Sequence, residues 1–188
     1  NNINYKLMFY IPDIILKIVY IFILLFINTP IMAENNVYKY SFNDIDGKEI
    51  NLEDFKGKPI FLVNTASKCG FTPQYGDLQT LFQEYKSTDL IFIATPSNQF
   101  KQELSSEEEI KKYCLISYGV SFNVTEIVEI KGTDAHPLYK WLGEKYKEVP
   151  KWNFYKYLFD RDGKLIESWS SMTKPTSNKI KKSIKKVL

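Results

Sequence analysis

The side chains able to do covalent chemistry are few: 188 residues hold two cysteines, Cys69 and Cys114, and one histidine, His136. Cys69 follows the apolar run Pro59-Ile-Phe-Leu-Val-Asn-Thr65 and precedes Thr72-Pro73, a pair suited to opening a helix. In an open α/β sheet, the edge beyond the carboxyl ends of the strands is where ligands bind. A helix N-terminus brings partial positive charge there and Lys68 brings a full one, and both favour an ionised sulfur. Such a thiolate is a nucleophile. From position alone, an inert buried thiol and one half of a stabilising disulfide stay open as alternatives.

Missing residues narrow the chemistry. Cys69-Gly-Phe-Thr72 has Thr where a C-x-x-C pair has its second cysteine, so the neighbour that resolves mixed disulfides is lacking. A C-x-x-x-C copper site fails at Pro73, and a P-x-x-x-T-x-x-C arrangement fails at Leu62 and Ala66. Two cysteines and one histidine are too few for a zinc site of Cys and His ligands. No G-x-S-x-G elbow supplies a serine for His136, which reads as structural before Pro137. A net charge of +3 lacks the basic field that nucleic acid requires. The lysines at 174, 179, 181, 182, 185 and 186 read as a solvated helix face, with weak membrane-surface contact as the alternative.

The elements that must position Cys69 follow from pattern. Val37–Phe42 alternates like a strand and returns through the Asp44–Gly47 turn as a hairpin partner over Lys48–Leu52. The runs 59–65 and 90–94 are buried parallel strands. A helix follows Thr72, with Leu78, Leu81, Phe82 and Tyr85 on its buried face. Ser105-Ser-Glu-Glu108 is a capping box opening a helix that carries Ile110 and Cys114. Helices are expected over 134–146 and 177–188, and strands over 155–159 and 164–169 around Asp160-Arg-Asp-Gly163. This order predicts a thioredoxin-like α/β fold: a central mixed sheet, helices on both faces and an N-terminal β-hairpin.

Residues 1–33 stand apart from the domain expected over 34–188. Lys6 and Lys17 precede the apolar run Ile18–Ile27, and Ala33 ends the segment. This pattern predicts a signal peptide cut after Ala33, with an uncleaved membrane anchor as the alternative. Either places the domain outside the cytoplasm, in a periplasm-like setting where cysteine pairs can stay oxidised.

Three segments carry a specific resemblance. Val63-Asn-Thr-Ala-Ser-Lys-Cys-Gly-Phe-Thr-Pro-Gln-Tyr75 is similar to the active-site segment of glutathione peroxidases, in the cysteine version. Pro96-Ser-Asn-Gln-Phe-Lys-Gln-Glu103 resembles the family's second signature and Lys151-Trp-Asn-Phe154 its third. Asp134–Tyr139 resembles a further family segment, and the four occur in the family's order. The resemblance implies a catalytic tetrad of Cys69, Gln102, Trp152 and Asn153. It implies reduction of hydrogen peroxide and organic or lipid hydroperoxides through a Cys69 sulfenic acid, in oxidative-stress defence. Cys114 sits where thioredoxin-dependent members carry their resolving cysteine, which implies a Cys69–Cys114 disulfide. The reductant would be a thioredoxin-like protein or glutathione, with no bound cofactor or metal.

The loop before Gln102 is one residue shorter than the family's, so Gln102 must arrive by an altered turn, or Gln99 partly replaces it. The short interval between His136 and Trp152 implies a monomer or loose dimer. Two other readings remain: a non-catalytic binding module with a structural disulfide, and a peroxide sensor that relays oxidation to a partner.

Overall fold

The computed structural model describes residues 35–188, so the expected leader lies outside the described residues. The apolar run after Pro59 forms β3 (Ile60–Thr65), buried along its whole length. β4 (Ile91–Pro96) pairs parallel to it, and β5 (Asn123–Val124) extends the sheet in the same sense. β6 (Lys156–Phe159) and β7 (Leu165–Trp169) join antiparallel on the other side, giving the order β5-β4-β3-β6-β7. β1 (Ser41–Asn43) and β2 (Glu49–Asn51) form a separate two-stranded hairpin.

Side chains of β3 alternate between two cores, as a period of two demands. Phe61 and Val63 pack with Leu78 and Leu81 of α1 (Gln74–Tyr85) and Ile180 and Ile184 of α4 (Asn178–Val187). Ile60 and Leu62 pack with Leu138, Tyr139 and Trp141 of α3 (Pro137–Trp141) on the opposite face. α2 (Glu107–Tyr118) lies on the first face, beside α1. Helices therefore flank both faces of a mixed sheet, the thioredoxin-like plan expected.

Several boundaries differ from expectation. Val37–Lys39 is a 3-10 turn, and the strand begins only at Ser41. The Asn36 side chain accepts the Tyr38 N–H, and Val37 N–H bonds the Gly163 carbonyl, so the segment is tied to the β6–β7 turn and leaves the ladder. That approach needs Gly163: its φ is +75°, and a Cβ there would lie 2.8 Å from the Tyr38 ring. The α2 cap is one residue later than expected. Ser106 Oγ accepts the Glu109 N–H, while a Glu109 carboxylate oxygen accepts the Ser105 N–H. α3 starts at Pro137 and not at 134, because the His136 ring nitrogen caps it, and it widens into a π-type segment over Leu142–Tyr146. β5 was not anticipated, since two paired residues leave no periodic pattern to read.

Candidate active site

β3 delivers Cys69 to the carboxyl edge of the sheet. Thr72 was expected to cap α1, but it braces the cysteine loop. Its hydroxyl donates to the Ala66 carbonyl at 2.9 Å and accepts the Cys69 N–H at 2.9 Å. α1 starts one residue on, without a side-chain cap. The Phe71 N–H donates to Cys69 Sγ at 3.4 Å, and Cys69 is 7% exposed between exposed Lys68 and Gly70.

The β4–α2 loop is tied to that loop through its backbone. The Lys68 N–H donates to the Gln102 carbonyl at 2.8 Å. Lys101, at φ +60°, adopts the left-handed conformation, and its N–H closes a turn onto the Asn98 carbonyl at 2.8 Å. This turn brings Gln102 inward, where its Oε1 accepts Asn153 Nδ2 at 3.0 Å. Gln99 is committed elsewhere. Its Oε1 accepts the N–H groups of Ile130 and Lys131, and its Nε2 donates to the Lys131 carbonyl. Of the two glutamines, only Gln102 meets Asn153.

Asn153 is fully buried, whereas Trp152 is 40% exposed, its ring 5.1 Å from that of Phe100. Lys131 Nζ in turn sits 4.1 Å over the Phe100 ring. Phe154, at φ +64°, takes the left-handed conformation directly after Asn153. Asn64 holds this unusual segment in place, a role that sequence reasoning missed. Its Nδ2 donates to the Trp152 carbonyl (3.0 Å), its Oδ1 accepts the Tyr155 N–H (2.9 Å) and its carbonyl accepts the Phe154 N–H (2.6 Å). The available signal was an Asn inside an otherwise apolar buried strand.

Glu103 was missed as well. Its Oε1 accepts the N–H groups of Ser67 (2.9 Å) and Leu104 (2.8 Å), joining the cysteine loop to the glutamine loop. Burial holds its carboxyl above the usual carboxylate range, while the bonds from Ser67 and Leu104 pull the other way.

Cys114 lies on α2, 2% exposed, in the same core cluster as Cys69 and Tyr75. Burial pushes its thiol up to about 11 against a favourable influence from Tyr75, and the charge of Glu103 adds to the rise. Both cysteines are free thiols. His136 is away from this cluster: it stacks on Phe42 at 4.2 Å, accepts the Leu138 N–H at Nδ1 and bonds the Ser41 carbonyl through Nε2. Among the described residues, no helix is long and apolar enough to cross a membrane.

The fold and the site together define a thioredoxin-fold protein with one cysteine at the sheet's carboxyl edge and an amide pair in the adjoining loops. Residues 37–143 match the family model for glutathione peroxidase. A glutathione peroxidase of Lactococcus lactis is 40% identical over 158 residues, which span 81% of this chain and 99% of that protein. A Schizosaccharomyces pombe protein named as a glutathione peroxidase-like peroxiredoxin is 42% identical, over 75% of this chain and 92% of its own. A solved structure described as Trgpx in apo form superposes with a TM-score of 0.66 at 35% identity, covering 81% of this chain and 95% of that one. The chain belongs to the glutathione peroxidase family and is a thiol peroxidase.

Proposed function

We propose that Cys69 reduces hydrogen peroxide and organic or lipid hydroperoxides, with Gln102, Trp152 and Asn153 as its catalytic partners. The Cys69 thiolate attacks one peroxide oxygen and the O–O bond breaks. The departing alkoxide or hydroxide takes a proton and leaves as alcohol or water, and Cys69 becomes a sulfenic acid. Amide hydrogens of Gln102 and Asn153 and the indole N–H of Trp152 stabilise the charge developing on the oxygens. The observation that carries this reading is the Gln102–Asn153 bond, made beside a cysteine loop whose Lys68 N–H binds the Gln102 backbone.

Cys114 then attacks the sulfenic sulfur, forming an S–S bond and releasing water. A dithiol of the thioredoxin type reduces the disulfide; the fission yeast relative's peroxiredoxin name supports that reductant over glutathione. Burial of Cys114 on a regular helix makes local unwinding a requirement. α2 is suited to it, because only Ile110 and Cys114 of its twelve residues are buried while Leu115 and Ile116 are exposed. A pocket of about 220 Å³ also adjoins it, lined in part by Cys114, Val120 and Phe122. The apolar run before Ala33 supports action outside the cytoplasm.

The test is mass spectrometry after one equivalent of peroxide, together with steady-state assays using each reductant. The expected product is a 69–114 disulfide in the wild type and a Cys69 sulfenic acid in Cys114→Ser. Full peroxidase activity in Cys69→Ser would sink the assignment.

A further inference from the structure

The least expected group near the site is a lysine inside the sheet. Lys156, the first residue of β6, is 0% exposed. Among the described residues no carboxylate lies within ion-pair distance of it; its Nζ donates only to the backbone carbonyls of Thr173 (2.7 Å) and Ser170 (3.4 Å). A buried ammonium loses a large hydration energy, so its placement needs a compensating role. The acid whose charge acts on it is Asp77 of α1, whose carboxylate accepts the Thr176 hydroxyl at 3.4 Å.

The carbonyls that hold Lys156 bracket Ser171. The Ser170 carbonyl also accepts the Thr173 N–H, so Lys156 Nζ holds both ends of a single tight turn. Between those two points the Ser171 hydroxyl donates to the Asn153 carbonyl at 2.6 Å, and the Ser171 carbonyl accepts Gln74 Nε2 at 2.6 Å. Ser171 is itself buried. Hydrogen bonds joined by the covalent chain thus connect Lys156 through the 170–173 turn to the Asn153 backbone, and Asn153 Nδ2 carries the connection to Gln102 Oε1. Asn64 fixes the opposite side of the same segment through Trp152 and Tyr155.

We infer that Lys156 is a positioning residue for peroxide reduction: its Nζ locks the β7–α4 turn so that Ser171 holds Asn153 at the amide pair. The inference rests on the role given to Asn153 above. Lys156 touches neither peroxide nor sulfur, and acts only through the turn. Loss of the clamp lets Asn153 drift, and a displacement near 1 Å at a reacting group costs on the order of 100-fold in rate.

Two reactions of Cys69 separate this role from a structural one. Reaction with hydrogen peroxide uses the amide donors, whereas alkylation by iodoacetamide reports only the ionisation and access of the sulfur. In Lys156→Met, the peroxide rate should fall about 10- to 100-fold while the alkylation rate stays within about twofold. On an Asn153→Ala background, Lys156→Met should add no further loss, because one interaction cannot be removed twice. Should Lys156→Met fail to fold, Ser171→Ala breaks the last bond alone and is read in the same cycle. Equal loss in both reactions, or peroxide rates unchanged in both variants while Asn153→Ala is slow, overturns the clamp. Wild-type peroxide rates in Asn153→Ala itself would instead overturn the catalytic reading beneath it.

Discussion

Asn64 shows how one side chain can support a site without belonging to it. Four bonds at this residue, two of them through its side chain, secure Trp152–Tyr155, where Phe154 occupies a left-handed conformation that costs a side-chain-bearing residue about 1–2 kcal/mol. Asn64→Val keeps the volume but removes both side-chain bonds. It should destabilise the domain by about 1–3 kcal/mol, since the Trp152 carbonyl and Tyr155 N–H lose their partners. The peroxide rate at Cys69 should fall about tenfold or more with it; urea melts and stopped-flow mixing check the two parts. Cys114 gives a second residue-scale prediction. With its thiol pushed up to about 11, about one molecule in a thousand is ionised at pH 8. Iodoacetamide on the reduced native protein should therefore label Cys69 far ahead of Cys114. The difference should vanish in denaturant, as peptide mapping over time would show. Equal labelling in the native state would mean that α2 is already open.

α2 is the element on which a two-cysteine cycle depends. Its C-terminus is closed by Gly119 at φ +61°, whose N–H reaches the carbonyls of Cys114 and Leu115. No atom lies within 4 Å of the site a Cβ would take at Gly119, so Gly119→Ala introduces backbone strain and no clash. The substitution should weaken the last turn of α2 by about 1 kcal/mol. Because the Cys114 carbonyl accepts from that cap, disulfide formation after peroxide should accelerate while the initial attack at Cys69 is unchanged. Stopped-flow tryptophan fluorescence paired with quenched mass spectrometry separates those phases. A slower disulfide step would show that the intact helix, and not its opening, presents the thiol. The β4–α2 loop is the other decisive element. A left-handed Lys101 compresses it enough for Gln102 to meet Asn153, and Lys101→Gly should preserve activity because glycine accepts that conformation freely.

At the scale of the whole molecule, Lys156 couples the site to global stability. Burial lowers its ammonium from 10.5 to about 7, opposed by Asp77. A cation whose folded pKa is depressed contributes stability fully above its unfolded pKa and loses it as pH falls through the folded one. Wild type should therefore gain stability relative to Lys156→Met as pH rises from about 7 toward 10, with the difference flat below 7. Urea denaturation across that range measures it, and a flat difference throughout would show that the ammonium is solvated in the native state.

The sequence alone determined the sheet's two central strands and the flanking helices, and it singled out Cys69 as the candidate nucleophile. Apolar runs of strand length, a 3.6-residue stripe and a cysteine lacking a near partner are local features, legible before folding. Its three signatures also named Gln102, Trp152 and Asn153 as candidates. Tertiary structure alone decided which glutamine meets Asn153, since Gln99 and Gln102 are equivalent by type and differ only in the turn that carries them. It also turned Thr72 from a helix cap into a brace for Cys69, pulled Val37–Lys39 out of the ladder, and revealed Asn64, Glu103 and Lys156. Each of those side chains bonds backbone groups, most of them far away in the sequence. Such partners leave no periodicity and no motif, because any residue supplies a carbonyl or an N–H, and only the folded chain fixes which one is near.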